Sequence, residues 1–286
     1  MPFIKADNFS LVHSLFSGQC FGWQRIGVWY YGEIAGRPVK VSQVRGKLYF
    51  DGVEEREVRK YFALNENIEK IYSGIATDPV IENAVEEFRG LRILKQDPWV
   101  CSVSFLCSIS CNIPGIELQL RKLKHRYGTA VEFDGHRMHL FPRPVDIGNA
   151  SLKELRKCSL GFRDRYVKSL GERMGGFEIE ELRDKEYAEA KDSLMESFGI
   201  GPKVADCICL FSLDKTEAFP IDVWIQRAMV GYYGKEIRRM IPKTRFSYKD
   251  VQKFAWERWG KDAGYAQQFL YVYSKKDLKQ KGRNEH

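Results

Sequence analysis

FGIGPKVADCICL, residues 198–210, sets two glycines and a proline directly before an apolar run. Glycine permits positive φ and a close backbone approach, and proline suits the first position of a helix. The stretch therefore predicts one helix ending at Phe198, a tight turn over Gly199, Ile200 and Gly201, and a second helix over 202–212. Amide groups left open at such a turn and at the start of the second helix form an anion site, well suited to a DNA phosphate. The same residues, taken alone, also describe a plain corner between two helices with a glycine cap.

The neighbouring residues add chemistry. Lys203 stands in the first turn of the second helix, where the helix dipole disfavours its ammonium form. Cys207 is its i+4 neighbour and shares its face. Further on, AFPIDVWIQR (218–227) places Asp222 after a proline-marked turn and before another apolar run. Asp222 is read equally as a helix N-cap and as a carboxylate kept ionised to face a developing cation.

The chain of 286 residues is long enough for a well-buried core of two or three subdomains, and 44% hydrophobic content is ordinary for a globular protein. With 46 Lys+Arg against 38 Asp+Glu, the net charge of +8 and pI near 9.0 suit an anionic partner, nucleic acid first. The seven cysteines form no C-x-x-C pair and lack the clustering of an iron–sulfur site, which predicts reduced thiols and an intracellular, non-secreted protein. No run is long and apolar enough to span a bilayer, and no H-E-x-x-H motif supports a metallohydrolase.

Residues 28–52 carry short aromatic and β-branched runs broken at AGRP and RGK, the pattern of antiparallel hairpins. From about residue 54 the period turns helical. Asp78-Pro79 and Asp97-Pro98 read as N-caps, each followed by a proline at the first helical position. Further helices are predicted near 116–127, 151–157 (with Ser151 and Glu154 as a capping box), 163–174, 184–198, 202–212, 222–233 and 247–274, before a frayed basic tail. The fold class is α+β, an N-terminal antiparallel β-sheet domain followed by a multi-helix body. The expected division is 1–95 for the β domain with its peripheral helices and 96–286 for the helical body, with the helix–hairpin–helix at about 186–212.

FGIGPKVADCICLFSLDKTEAFPIDV (198–223) resembles the helix–hairpin–helix of base-excision DNA glycosylases, and its wording is similar to the 8-oxoguanine DNA glycosylase/AP lyase family in particular. SGQCFGW (17–23), DPWVCSVSFLCSISCNI (97–113), LGFRDRYV (160–167) and GYAQQFLY (264–271) resemble other segments of that family, so the likeness runs from about residue 8 to 274.

This resemblance implies a bifunctional glycosylase acting on double-stranded DNA that contains 8-oxoguanine. Lys203 would be the Schiff-base nucleophile, Asp222 the carboxylate that stabilises the sugar cation, and β-elimination would cut the strand 3′ to the lesion. Gly18 would supply the carbonyl that accepts the lesion's N7–H, Gln267 would read the Watson–Crick edge, and Cys207 and Tyr271 would flank the base. Gly199 and Gly201 would hold the DNA backbone, while Asn112, Phe162 and Arg163 would lie against the backbone and the opposite base. The family's animal type carries two arginines and an asparagine around that base. Arg163 matches one arginine, but Gly115 and Ser110 take the other two places, which predicts a relaxed opposite-base preference. Trp224 replaces a phosphate-contacting histidine and Phe162 an intercalating tyrosine. The resemblance implies no required cofactor, admits a monovalent cation at the hairpin turn, and suggests a monomer in the cytoplasm or nucleoid of a prokaryote or the nucleus of a eukaryote.

Three rivals stand beside it. A monofunctional glycosylase for alkylated bases would lack the lysine of the hairpin, and the relatives specific for adenine or pyrimidines usually carry an iron–sulfur cluster. A non-catalytic module would use its helix–hairpin–helix only to grip backbone.

Overall fold

The computed structural model describes residues 1–173 and 179–284, the last eight through their backbone alone. Strand β1 (Phe3–Lys5) and helix α1 (Leu11–Leu15) precede β2 (Gln24–Ile26), β3 (Trp29–Ile34), β4 (Arg37–Val44) and β5 (Lys47–Asp51). These five strands form one antiparallel sheet in the order β1-β5-β4-β3-β2, with Tyr30 opposite Val41 and Val41 opposite Phe50. Its two central hairpins turn on Ala35-Gly36 and Arg45-Gly46, all four residues at positive φ. Such turns match the right-handed twist of the strands they join, which explains why AGRP and RGK break the β pattern where they do.

Helices α2 (Glu55–Tyr61), α3 (Ile68–Ile75), α4 (Pro79–Glu87) and α5 (Pro98–Cys107) follow, then α6 (Ile113–Tyr127). A separate two-stranded hairpin, β6 (Ala130–Phe133) and β7 (His136–His139), turns on Asp134-Gly135 and was not among the expected elements. Asp134 anchors it to the sheet, accepting from the Tyr31 hydroxyl at 2.6 Å and pairing with the Lys40 ammonium at 2.6 Å. The remaining helices are α7 (Pro144–Gly148), α8 (Leu152–Arg156), α9 (Asp164–Arg173), α10 (Tyr187–Met195), α11 (Pro202–Ser212), α12 (Val223–Met240), α13 (Tyr248–Trp259) and α14 (Ala263–Asn284).

Two cores form. One lies on the sheet and includes Val39, Val41, Leu48, Phe50, Val58 and Phe62, while the other fills the helical body. The change between them does not fall at residue 95. Ile68, Tyr72, Ile81, Val85 and Leu91 belong to the helical core, because α3 and α4 pack on α14, and Leu94 then returns to the sheet core.

The expected N-caps form: Asp78 accepts from the Val80 and Ile81 amides, Asp97 from Val100, and Ser151 from Glu154, although the Glu154 side chain does not return the bond that would complete the expected capping box. The helix expected over 247–274 is two helices. Gly260, at φ +54, ends α13, and a 3-10 turn over Gly260–Asp262 redirects the chain into α14. That helix continues to Asn284, where the sequence predicts fraying. Helix α9 starts one residue later than predicted and α10 is shorter, each preceded by a 3-10 turn, and α12 is longer, reaching Met240. Met174, the expected last residue of α9, lies outside the described residues.

Candidate active site

The hairpin forms between α10 and α11. Ser197 donates its amide to the Leu194 carbonyl, and Ile200 donates to Ser197, both at 3.0 Å. Gly199 lies at φ +91, and a Cβ there would sit 2.3 Å from Cγ of Tyr166, so the Tyr166 ring occupies the space a side chain would need. Gly201 is different: a Cβ there would meet nothing within 4 Å. It is the N-cap of α11, and it offers no side chain to cap the first-turn amides. The start of α11 is thus left uncovered for an anion.

Lys203 is half-buried just inside that start. Its Nζ donates to Ser108 Oγ at 3.1 Å and lies 4.9 Å from the centre of the Phe105 ring. Burial pushes the Cys207 thiol up to about 12, against the pull of the Lys203 charge, and the Asp206 and Asp222 carboxylates add to the rise. Asp222 caps α12, its Oδ1 accepting from the Ile225 amide at 2.8 Å. The Tyr271 phenol is raised by burial first, then by Asp222 and Cys207. Lys203, Cys207, Asp222 and Tyr271 therefore stand within electrostatic reach of one another. Among the described residues no ion pair joins Lys203 to Asp222.

Gly18 adds a wall. It lies at φ +82 with its α-carbon against Tyr271, whose Cε1 would be 2.9 Å from an added Cβ. Gln268 on α14 donates to the Ser17 carbonyl at 2.9 Å. Gln19 is fully buried, donates to the Ser14 and Arg92 carbonyls and accepts from the Leu94 amide. Gln96 donates to the Gln19 carbonyl at 2.8 Å, and its amide donates to the Phe211 carbonyl of α11 at 2.9 Å. The Gly18 loop is thereby tied to the lysine helix. Gln267 donates to the Pro220 carbonyl at 3.1 Å, while its buried Oε1 has no hydrogen-bond partner. A buried acceptor without a partner costs about 1–3 kcal/mol unless a ligand donor reaches it.

The residues assigned to the opposite base stand at the end of α5, beside Ser108. Arg163 is only 8% exposed and donates to the carbonyls of Ile109 (2.7 Å, from Nε), Leu160 (3.1 Å) and Ser110 (3.0 Å). It holds the turn, with Ser110 at φ +48, rather than projecting from it. Asn112 caps α6, accepting from the Gly115 amide at 2.9 Å. A Cβ on Gly115 would lie 2.6 Å from Cys111 Sγ, so an arginine there requires Cys111 to move. Phe162 is 52% exposed, while Trp224 is half-buried with the Arg227 guanidinium 5.8 Å from its ring centre.

Sequence reasoning missed Ser108 and Phe105 as the contacts of Lys203, and Gln19 and Gln96 as the supports of Gly18. Gln19 lies inside the SGQCFGW motif, but its partners Arg92, Leu94 and Gln96 are more than seventy residues away. Among the described residues no three His, Cys, Asp or Glu side chains form a metal cluster, and no helix is long and apolar enough to cross a membrane.

The hairpin thus sets a half-buried amine at an uncovered helix start, with a capping carboxylate acting on the same buried thiol. The family described as 8-oxoguanine DNA glycosylase, N-terminal domain, matches residues 2–101. A probable N-glycosylase/DNA lyase of Methanothermobacter thermautotrophicus is 31% identical over 270 residues, covering 84% of this chain and 83% of its own. The N-glycosylase/DNA lyase OGG1 of Arabidopsis thaliana is 30% identical, covering 90% of this chain and 74% of its own. The solved 8-oxoguanine glycosylase/lyase of Clostridium acetobutylicum, bound to double-stranded DNA with cytosine opposite 8-oxoguanine, superposes with a TM-score of 0.87 at 30% identity, over 95% of this chain and 93% of that one. The chain belongs to the 8-oxoguanine DNA glycosylase family, DNA glycosylases with AP lyase activity.

Proposed function

We propose that this protein excises 8-oxoguanine from double-stranded DNA and cuts the strand through a Schiff base on Lys203. The observation that carries this is Lys203 held by Ser108 at the start of α11 and Asp222 at the cap of α12, both acting electrostatically on the buried Cys207 thiol, with no ion pair between them among the described residues. Unpaired, the amine stays available as a nucleophile and the carboxylate as a counter-charge.

The uncovered start of α11 holds a phosphate of the damaged strand, and the damaged nucleotide leaves the stack. As the N-glycosidic bond breaks, positive charge grows on the sugar and Asp222 stabilises it. The neutral Lys203 amine bonds to C1′ while the base departs with its bonding electrons and takes up a proton. Ring opening gives the protonated Schiff base, which acidifies C2′. Loss of a C2′ proton expels the 3′ phosphate, the β-elimination step. None of these steps uses a cofactor. A monovalent cation on the carbonyls of the hairpin turn would strengthen the phosphate contact. The protein acts as a monomer.

The Gly18 carbonyl accepts from N7–H of the lesion and repels the bare N7 of guanine. The unpartnered Oε1 of Gln267 accepts from a donor on the Watson–Crick edge, and Cys207 and Tyr271 flank the ring. With glycine at 115 and serine at 110, opposite-base preference is relaxed: losing a bidentate arginine removes about 1–3 kcal/mol of discrimination. Excision opposite cytosine should exceed that opposite adenine by far less than a thousandfold, and a thousandfold ratio would refute the relaxation.

The deciding experiment is borohydride trapping on a duplex with one 8-oxoguanine, comparing the wild type with Lys203→Gln. A covalent adduct that vanishes in the variant is expected. Free 8-oxoguanine released without an adduct would instead mean a water-using glycosylase.

A further inference from the structure

Beside the hairpin lies a cleft that the reaction above does not use. Phe162 and Phe198 are exposed, the latter by 58%. Both set an edge against the Tyr166 ring, with centroids 5.8 and 5.0 Å apart, and Tyr166 is itself seated on Gly199. Wedge candidate, hairpin turn and Phe198 thus form one aromatic ridge, packed through a single ring. The ridge borders a cleft of about 390 Å³ with Arg156 and Arg165 among its lining residues. Arg156 pairs with Asp164 at 2.7 Å, whereas Arg165 makes no ion pair among the described residues. Clustered exposed rings beside a cationic margin mark an interaction surface, here continuous with the DNA-holding turn.

We infer that this cleft takes a nucleobase of the damaged strand, the immediate neighbour of the extruded nucleotide, stacked on Phe198. The inference rests on the proposed function. Phe198 directly precedes the turn that holds the damaged strand's phosphate, so that strand is the one within its reach. Extruding a nucleotide strips its neighbour of a stacking partner, and an apolar wedge opens the step further. An aromatic ring restores the stack and tolerates any sequence, because every base has a π-face. Unpaired Arg165 supplies charge for the adjoining phosphate.

The test is a double-mutant cycle in the Lys203→Gln protein, which binds without cutting. Dissociation constants are measured for a duplex with one 8-oxoguanine, and for the same duplex with a stable abasic analogue replacing the 5′ or the 3′ neighbour. Each is repeated with Phe198→Ala and with Phe198→Leu, which keeps apolar bulk at the turn without a π-face. Removing the neighbouring base on one side should weaken binding about tenfold, as should Phe198→Ala. Removing both should cost no more than either alone. Additive losses on both sides would overturn the base contact, and so would a Phe198→Leu protein that binds like its parent. Preference for the 8-oxoguanine duplex without this coupling sinks the cleft assignment alone. Absence of that preference sinks the substrate as well.

Discussion

Helix α11 carries two lysine–aspartate arrangements. Towards α10 and α13, Lys191 meets Asp206 at 2.9 Å, and the wholly buried carboxylate also accepts from the Tyr187 hydroxyl (2.5 Å), the Tyr248 hydroxyl (2.6 Å) and the Gln252 amide (2.7 Å). Nearer the start of α11, Lys203 makes no ion pair with Asp222 among the described residues, and each is held by another partner, Lys203 by Ser108 and Asp222 by the Ile225 amide. The residue types are the same and the consequences opposite. A saturated buried pair locks α10, α11 and α13 together. A pair kept apart leaves its charges for a substrate. Removing one partner from a saturated pair leaves an uncompensated buried charge, whereas removing an unsaturated one mainly loses chemistry.

The largest effect that could break this contrast is on catalysis. Lys203→Gln should lower strand cleavage by on the order of a thousandfold or more while moving the thermal midpoint little, since only one side-chain hydrogen bond is lost. A large fall in stability without loss of cleavage in the folded fraction would reverse the roles of the two arrangements. Asp206→Ala should do the converse. It should cost about 3–5 kcal/mol in denaturant unfolding, with borohydride trapping retained by whatever stays folded.

Gly199→Ala tests the turn between α10 and α11. Positive φ costs a non-glycine residue about 1–2 kcal/mol, and displacing the Tyr166 ring adds to it, so both stability and DNA affinity should fall. An unchanged affinity would separate the turn from phosphate binding. The smallest effect concerns α13, which carries Tyr248 and Gln252. Asp250 completes its capping box with Ser247, and the Lys243 ammonium, then the Ser247 cap, hold the carboxyl down to about 2 from an ordinary 3.8. Its folded value is depressed, so its contribution is complete above 3.8 and drains away as pH falls towards 2. Asp250→Asn should flatten the stability curve in that window and leave neutral-pH cleavage unchanged. A slope that persists in the variant would assign the acid response to other carboxylates.

Local signals were legible and distant ones were not. The Asp78 and Asp97 caps, the Ala35-Gly36 and Arg45-Gly46 turns and the α10–α11 hairpin each lie within a few residues, and all formed where their motifs stand. Asp134-Gly135 is an equally local signal that the β pattern in the first third of the chain overshadowed. Gly260 interrupts the single helix expected over 247–274 at positive φ, and α14 beyond it packs on α3 and α4. The placement of α3 and α4 in the helical core is a distant outcome of the same kind. Composition along the chain does not show which core α3 and α4 will join.

The sequence by itself determined the α+β class, the hairpin with its open glycine cap, and the presence of Lys203 and Asp222 at two successive helix starts, because capping and turn formation depend on residues close together in the chain. Only the tertiary structure decided that Lys203 rests on Ser108 and Phe105, that Gln19 and Gln96 fasten the Gly18 loop to α11, and that Arg163 holds a turn. Those contacts join residues some fifty or more positions apart, and burial of the helical core, not local preference, brings them into reach.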